Sequence, residues 1–267
     1  MRIGEIEVLP VFDGFGYEVA RDVLLRPDDA GPDDAGPDPW AAHERQLDSH
    51  GRLEFNLGGF LVHTGSRVIM VDAGAGTIDT GQYKGGQLLT SLAKHGVQPG
   101  DVTDVIFTHL HFDHVGWATT KGEVVFCNAT YRAHEADWAY FVDSPGAAPG
   151  AVRKLSPVRP QLELFAAECT LAPGLDARPA PGHTPGSTIY VLSSGTQRAL
   201  LLGDVAHTPV ELIEPGWEFV FDVDLAAARA VREQVSAELL DSHDPAAAAH
   251  FPEPYFGRLV RAEAAGR

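Results

Sequence analysis

The stretch THLHFDHVGW, Thr108 to Trp117, places three histidines and an aspartate in the six residues His109 to His114, although the whole chain has twelve histidines. A histidine with a purely structural role gains nothing from a second one two residues away, and protonated neighbours at the mouth of a buried strand repel each other. A cation removes that conflict. The run before the cluster, DVIFTH from Asp104 to His109, is β-branched and apolar, so it reads as a short buried strand that delivers the histidines at its carboxyl end. Side chains alternate along extended backbone, so His109 and His111 project to the same side and can reach one ion. As the chain turns into the next helix, Asp113 and His114 face a second position close by. Neutral imidazole nitrogens and carboxylate oxygens are donors that zinc, manganese, iron and cobalt all accept, so the ligand set does not select among them.

Six residues do not complete such a site, and the pattern therefore predicts further isolated His or Asp residues at the ends of later strands. Three stand out. His183 lies in the Gly/Pro-rich turn PAPGHTPGS, before the strand STIYVLS; Asp204 ends the apolar run LLLGD, where a carboxylate is costly if buried alone; His250 lies in the proline-rich AAAAHFPEP. Each alone is an ordinary turn residue, but together they complete two ligand sets.

The remaining chain reads as strands in two batches, each followed by helix, which predicts two sheets between helical layers in one α+β domain over 1–267. VLPVFDGF is a strand, FNLGGFLVHTGSRVIMVDAG a hairpin turning at Thr64 to Ser66, and EVVFCN, STIYVLS and RALLLGD are further strands. Helices are expected from Gly86 to His95, with Gly96 as its cap, and from Leu225 to Leu240, capped by Asp224. The segment at about 26–40, with DDAGP twice, reads as a flexible acidic Pro/Gly loop, a tolerated insertion in preference to a lid. Cys127 and Cys169 lie in apolar, strand-like contexts and read as buried free thiols without metal-type spacing. A formal net charge of −17 argues against nucleic-acid or anionic-membrane partners. No apolar run approaches the ~20 residues of a membrane span, and acidic residues in MRIGEIEVLPVFDG do not suit a signal peptide, so a cytoplasmic location is expected.

With these residues in view, the sequence resembles the metallo-β-lactamase-fold hydrolases, whose signature HxHxDH is followed by a single His, an Asp and a final His. Here these are His109, His111, Asp113, His114, His183, Asp204 and His250, and VDAG at 71–74 matches the end of a first-sheet strand of that family. The resemblance runs from Asn56 to Gly257 and implies an αββα sandwich of two mixed sheets between helical layers. It implies that His109, His111 and His183 hold one divalent metal, that Asp113, His114 and His250 hold another, and that Asp204 bridges them, zinc being the first expectation. It further implies that Asp72 orients a ligand histidine, and that a hydroxide shared by the metals attacks the substrate while Asp113 shuttles a proton to the leaving group.

Departures from the pattern narrow the branch. The β-lactamases proper lack the bridging aspartate, the glyoxalase II enzymes carry basic residues after the last histidine where this chain has Phe251-Pro252-Glu253-Pro254, and nuclease members need a basic surface. PGHTPGS, LLLGDVAH and AHFPEPYFGR are most similar to the N-acyl-homoserine lactonases and the methyl parathion hydrolase type of organophosphate hydrolase. Many such lactonases bind the lactone carbonyl with a tyrosine three residues after the bridging aspartate; this chain has His207 there, a candidate hydrogen-bond donor. Aromatic residues near the motifs, Phe112, Trp117, Trp138, Phe141 and Trp217, are candidates for the pocket wall, and the scarcity of Lys and Arg beside the ligands points to a neutral, partly apolar lactone or ester. The alternatives are phosphotriester hydrolysis at the same site, or a member of the fold without catalysis. A flavin-linked oxidoreductase fits less well, because its kind substitutes carboxylate for histidine in the motif and appends a flavin domain. A homodimer using the N-terminal region is the expectation for assembly.

Overall fold

The computed structural model describes residues 1–26, 38–252 and 256–261. The first sheet runs Arg2–Ile3, Ile6–Val19, Arg52–Thr64, Arg67–Val71, Asp104–Ile106, Thr130–His134 and Leu162–Phe165 in spatial order, with Tyr83–Lys84 added beside Ile6–Val19. Its early strands pair antiparallel and the strands from Arg67–Val71 onward pair parallel. The second sheet runs Cys169–Ala172, Leu175–Pro179, Thr188–Ser194, Gln197–Leu201 and Ala246–Ala247, antiparallel except for the last pair. Both sheets are mixed, as expected.

Alternation along the strands decides the layers. Phe60 and Val62 point to one side of Arg52–Thr64 and Leu61 to the other; Tyr190 and Leu192 oppose Ile189 and Val191 in the same way on Thr188–Ser194. Phe60, Val62, Ile69 and Ile106 of the first sheet meet Leu175, Tyr190, Leu192 and Leu201 of the second in a shared inner core. The outer face of the first sheet packs on helix Leu88–Lys94 through Leu88 and Leu92, and that of the second on helix Leu225–Ser242 through Val235 and Leu239. This is the αββα sandwich. Strands covered on both faces carry unbroken apolar runs, which is why DVIF and RALLL lack polar alternation.

The sequence-derived helices appear at Leu88–Lys94, with Gly96 in a left-handed conformation at its end, and at Leu225–Ser242, where the Asp224 side chain accepts from Ala227 N–H. Two expectations need correction. EVVFCN forms only the short strand Glu123–Val124 before the chain bends, and Cys127 falls in the turn beyond it. Cys127 is therefore exposed and Cys169, on the edge strand of the second sheet, only half-buried; both are free thiols, but neither is a core residue. The expected loop at about 26–40 lies outside the described residues over 27–37; beyond it Pro39–Ala42 forms a short 3-10 turn capped by Asp38, with Trp40 buried. Among the described residues no helix is long and apolar enough to cross a membrane.

Candidate metal centre

The strand ends converge where the two sheets meet. Asp104–Ile106 leads into His109 and His111, and the single turn Phe112–Val115 carries Asp113 and His114. On the second sheet His183 precedes Thr188–Ser194, Asp204 follows Gln197–Leu201, and His250 follows Ala246–Ala247. Thr188 N–H donates to Thr108 C=O at 2.9 Å and Tyr190 Oη–H to Phe107 C=O at 2.7 Å, so the second sheet is fastened to the chain just before the histidine motif. Gly203 shows why the turn reads Gly-Asp. Its φ of +55° is left-handed, and a Cβ there would come within 2.7 Å of Thr108 Cβ.

One ligand atom from each of His109, His111, His183 and Asp204 fits within a 4.8 Å cluster, and the same holds for Asp113, His114 and His250. Asp204 spans the two groups: Oδ2 is 3.5 Å from His109 Nε2, 3.4 Å from His183 Nε2 and 3.2 Å from His250 Nε2, while Oδ1 is 3.3 Å from His114 Nε2. The structure thus brings together all seven residues that the sequence singled out, in the two expected sets.

The hydrogen bonds behind the rings test whether cations fit. His114 Nδ1 faces Asp72 Oδ2 at 2.9 Å, His183 Nδ1 faces Asp222 Oδ1 at 2.9 Å, and His250 Nδ1 donates to Asn56 C=O at 2.8 Å. Each ring therefore commits Nδ1 outward and offers Nε2 to the centre. There His114 Nε2 and His250 Nε2 approach to 3.2 Å, and His111 Nδ1 lies 3.0 Å from both His109 Nε2 and His183 Nε2. With both Nδ1 atoms committed outward, the facing Nε2 lone pairs of His114 and His250 need a positive charge between them, a proton or a cation. The His109, His111 and His183 contacts can be met by a neutral N–H or by a cation that takes all three nitrogens at once. The buried Asp204 Oδ1, which accepts no hydrogen bond, fits the same occupant. With Asp113 and Asp204 as its two carboxylates, the cluster would keep a net positive charge with a divalent ion in each set.

The electrostatics agree. Burial holds His109 well below the ordinary imidazole value and His111 down to about 3, and it lowers His183 against the pull of Asp222 and Asp204. These rings stay neutral, as ligands must. Burial also opposes charge on His114, but Asp204 and Asp72 outweigh it and hold that ring well above the usual value. A proton there answers the same two carboxylates that a metal ion would, so the two compete for His114 Nε2. Burial would raise Asp204, yet the imidazoles around it, the charged His114 among them, keep it well below the ordinary carboxylate value.

Asp72 sits at φ +59°, a left-handed conformation uncommon outside glycine, and accepts from Thr108 N–H and Thr108 Oγ1–H, both at 2.8 Å, as well as from His114. His207 is buried, not solvent-facing: Glu211 takes its N–H at 2.5 Å and lies 3.4 Å from its Nδ1, and its Nε2 stands 3.3 Å from Asp204 Oδ2 without a hydrogen-bond partner. Burial disfavours charge on this ring, but Glu211 and Asp204 push it up to about 10.

A pocket of about 430 Å³ opens over the centre, and among the described residues no Lys or Arg lines it. Of the expected wall residues, Phe112 is there, 53% exposed, and Phe141 lines an adjoining cavity that shares His111 and Phe112 with it. The three tryptophans are corrections. Trp117 is buried and spends its indole N–H on Asp13 at 2.8 Å, Trp138 is in the same core, and Trp217 packs on Trp40 in a separate cluster with ring centroids 5.1 Å apart. Large apolar rings close to a motif are more often core than wall. The wall instead comes from Phe55, Tyr83, Phe219 and Phe221, with Glu18 accepting from Tyr83 Oη–H. These lie on strands and turns without a local motif, so sequence reading passed over them.

A family model described as the metallo-beta-lactamase superfamily matches residues 59–250. The chain belongs to that superfamily. Two curated relatives are similar to it: an N-acyl homoserine lactonase of Bacillus cereus, 27% identical over 187 residues, which are 65% of this chain and 70% of that protein, and another from a Bacillus species, 26% identical over 145 residues, 52% of this chain and 53% of that one. Among solved structures, AidC, described as a dizinc quorum-quenching lactonase in complex with a product, superposes with TM-score 0.83 at 26% identity over 100% of this chain and 94% of its own. The superfamily hydrolase AbOPH superposes with TM-score 0.83 at 23% identity, covering 98% and 93%, and attests the fold.

Proposed function

We propose that this superfamily member is a dinuclear zinc hydrolase that opens the lactone or ester bond of a neutral, partly apolar small molecule, with N-acyl-homoserine lactones as the substrate class. One observation carries the reading: the pocket over both cation positions is walled by Phe55, Tyr83, Phe112, Phe219 and Phe221 and, among the described residues, has no Lys or Arg in its lining. Within that pocket an anionic substrate meets no Arg or Lys among the described residues, Arg153 and Lys154 lining only the adjoining cavity, whereas an acyl chain finds apolar rings. The likeness to lactonases, including the structure with a bound lactonase product, supports the same class.

Two zinc ions would be held by His109, His111 and His183 on one side and by Asp113, His114 and His250 on the other, with Asp204 between the sets, and when bound would supply Lewis acidity and a nucleophilic hydroxide at neutral pH. Asp113 also lines the pocket, where its carboxylate can take the proton lost by the nucleophile and return it to the leaving alkoxide oxygen. His207 lines the pocket too, at the position where many lactonases have tyrosine, and a small turn of its ring away from Asp204 Oδ2, 3.3 Å from Nε2, lets it donate to the substrate's carbonyl oxygen.

The test is proton release from short- and long-chain N-acyl-homoserine lactones by zinc-reconstituted protein, with a His109→Ala/Asp204→Ala variant as control. Turnover that vanishes in the variant is the expected result. Folded, zinc-loaded protein that ignores lactones but cleaves a neutral phosphotriester would overturn the substrate class.

A further inference from the structure

Arg232 lies on helix Leu225–Ser242, outside the second sheet, and none of its surface reaches solvent. Neighbouring positions on that face, Ala228, Val235 and Leu239, are apolar core residues. A buried guanidinium there carries a desolvation cost that a well-packed apolar side chain avoids, so stability alone is a weak reason for it. Its partners give a better one. Arg232 Nη2–H donates to Asp222 Oδ2 at 3.1 Å and lies 3.3 Å from Glu211 Oε1; Nε–H donates to Val205 C=O at 3.0 Å and Nη1–H to Trp217 C=O at 2.5 Å. Three of these segments reach the centre. Asp222 anchors His183 Nδ1, Glu211 anchors His207, and Val205 follows Asp204 directly.

We propose that Arg232 is a positioning residue for the metal position formed by His109, His111 and His183: from outside the second sheet it locks the carboxylate that aims His183. The inference rests on the reading that both positions take a metal ion. The histidines of the other position are aimed without it, His114 by Asp72 and His250 by the Asn56 carbonyl, both on the first sheet's side. A rigid planar fork suits this role, since one group must fix four acceptors on four segments. Lysine retains the charge without that geometry.

Zinc titration of chelator-stripped protein against a chromophoric competitor tests this without any substrate. Wild type should bind two equivalents; fewer would overturn the two-position reading and the inference with it. In Arg232→Met one equivalent should weaken by about 10- to 100-fold while the other holds, the range usual for groups that orient metal ligands. Arg232→Lys should fall between. Asp222→Asn, a smaller change that serves if Arg232→Met folds poorly by circular dichroism, should weaken the same equivalent, and the double variant should be no worse than the sum predicts and closer to the larger single effect. In a His250→Ala background the added Arg232→Met should weaken the one remaining tight site, whereas in a His183→Ala background it should leave the remaining site unchanged. Equal weakening of both positions, or unchanged zinc binding in folded Arg232→Met, would overturn the proposal.

Discussion

His114 and His183 stand on either side of Asp204 and both offer Nε2 to the centre, yet they are held in different ways. His114 leans on Asp72, a residue at the end of strand Arg67–Val71 whose carboxylate is itself fixed by the Thr108 backbone and hydroxyl. This anchor is short, rigid and internal to the first sheet. His183 leans on Asp222, which depends on Arg232 from a helix outside the second sheet. One half of the centre is therefore fixed by backbone geometry and the other by a buried charge network drawn from several segments, so the second-sheet half should be the more sensitive to distant substitution.

The largest effect should come from the residue common to both halves. Asp204 contacts His109, His114, His183, His207 and His250, and Asp204→Ala should lower lactone turnover by on the order of 10³-fold or more and reduce bound zinc below two equivalents. Initial rates together with metal analysis check this; a variant with near-normal rates would show that the two halves do not share a bridge.

The joint between the halves gives the next effect. Asp137 accepts from Leu110 N–H, between two motif histidines, and from Thr184 Oγ1–H and Gly186 N–H, just after His183. Burial pushes its carboxyl up to about 6 against those three hydrogen bonds. The folded protein then binds this proton more tightly than the unfolded chain, whose aspartate titrates near ~3.9. The stability it contributes is full below that value and is lost as pH rises towards 6, a change of at most roughly 3 kcal/mol at 1.36 kcal/mol per unit. Urea unfolding of zinc-free protein between pH 4 and pH 7 should show that slope, and Asp137→Asn should flatten it. Zinc must be absent because its own binding depends on pH. An identical slope in both proteins would place the titrating group elsewhere.

The first-sheet anchor can be broken by Asp72→Asn, which should weaken the His114 position by about 10- to 100-fold and leave the His183 position alone. Zinc titration of that variant beside Asp222→Asn sharpens the comparison: the two should lose different equivalents. Loss of the same equivalent in both would mean that the two anchors serve one site.

The same contrast explains what could be read from the chain. HxHxDH is local, so strand alternation and one helical turn suffice to assign its residues to two positions, and His183, Asp204 and His250 are visible because polar residues at the ends of apolar runs call for a partner. The layers were legible because strands buried on both faces carry unbroken apolar runs. Asp222 was not, since its partner lies 39 residues away and nothing near FDVD announces a contact. Arg232 left a signal that went unused: a charged residue among Ala228, Val235 and Leu239 on the buried stripe of a predicted helix. The pocket wall was misread for a related reason. Trp117, Trp138 and Trp217 are near the motifs in sequence, but their large rings fill the cores beneath the site, and the wall is formed by residues whose proximity is purely tertiary.

Phe112 comes from the motif turn of the first half and Phe221 from the segment beside Asp222 in the second, and each is 53% exposed in the free protein. If the acyl chain lies between them, binding covers part of each ring, worth about 1 kcal/mol at ~25 cal/mol per Å². Phe112→Ala and Phe221→Ala should each raise KM by roughly 3- to 10-fold for long-chain substrates with kcat nearly unchanged, the pattern of lost uniform binding. Short-chain lactones should respond less, and the double variant should be close to additive, because the two rings belong to separate halves. An effect confined to Phe112→Ala would put the chain in the adjoining cavity beside Phe141, which Phe112 lines and Phe221 does not.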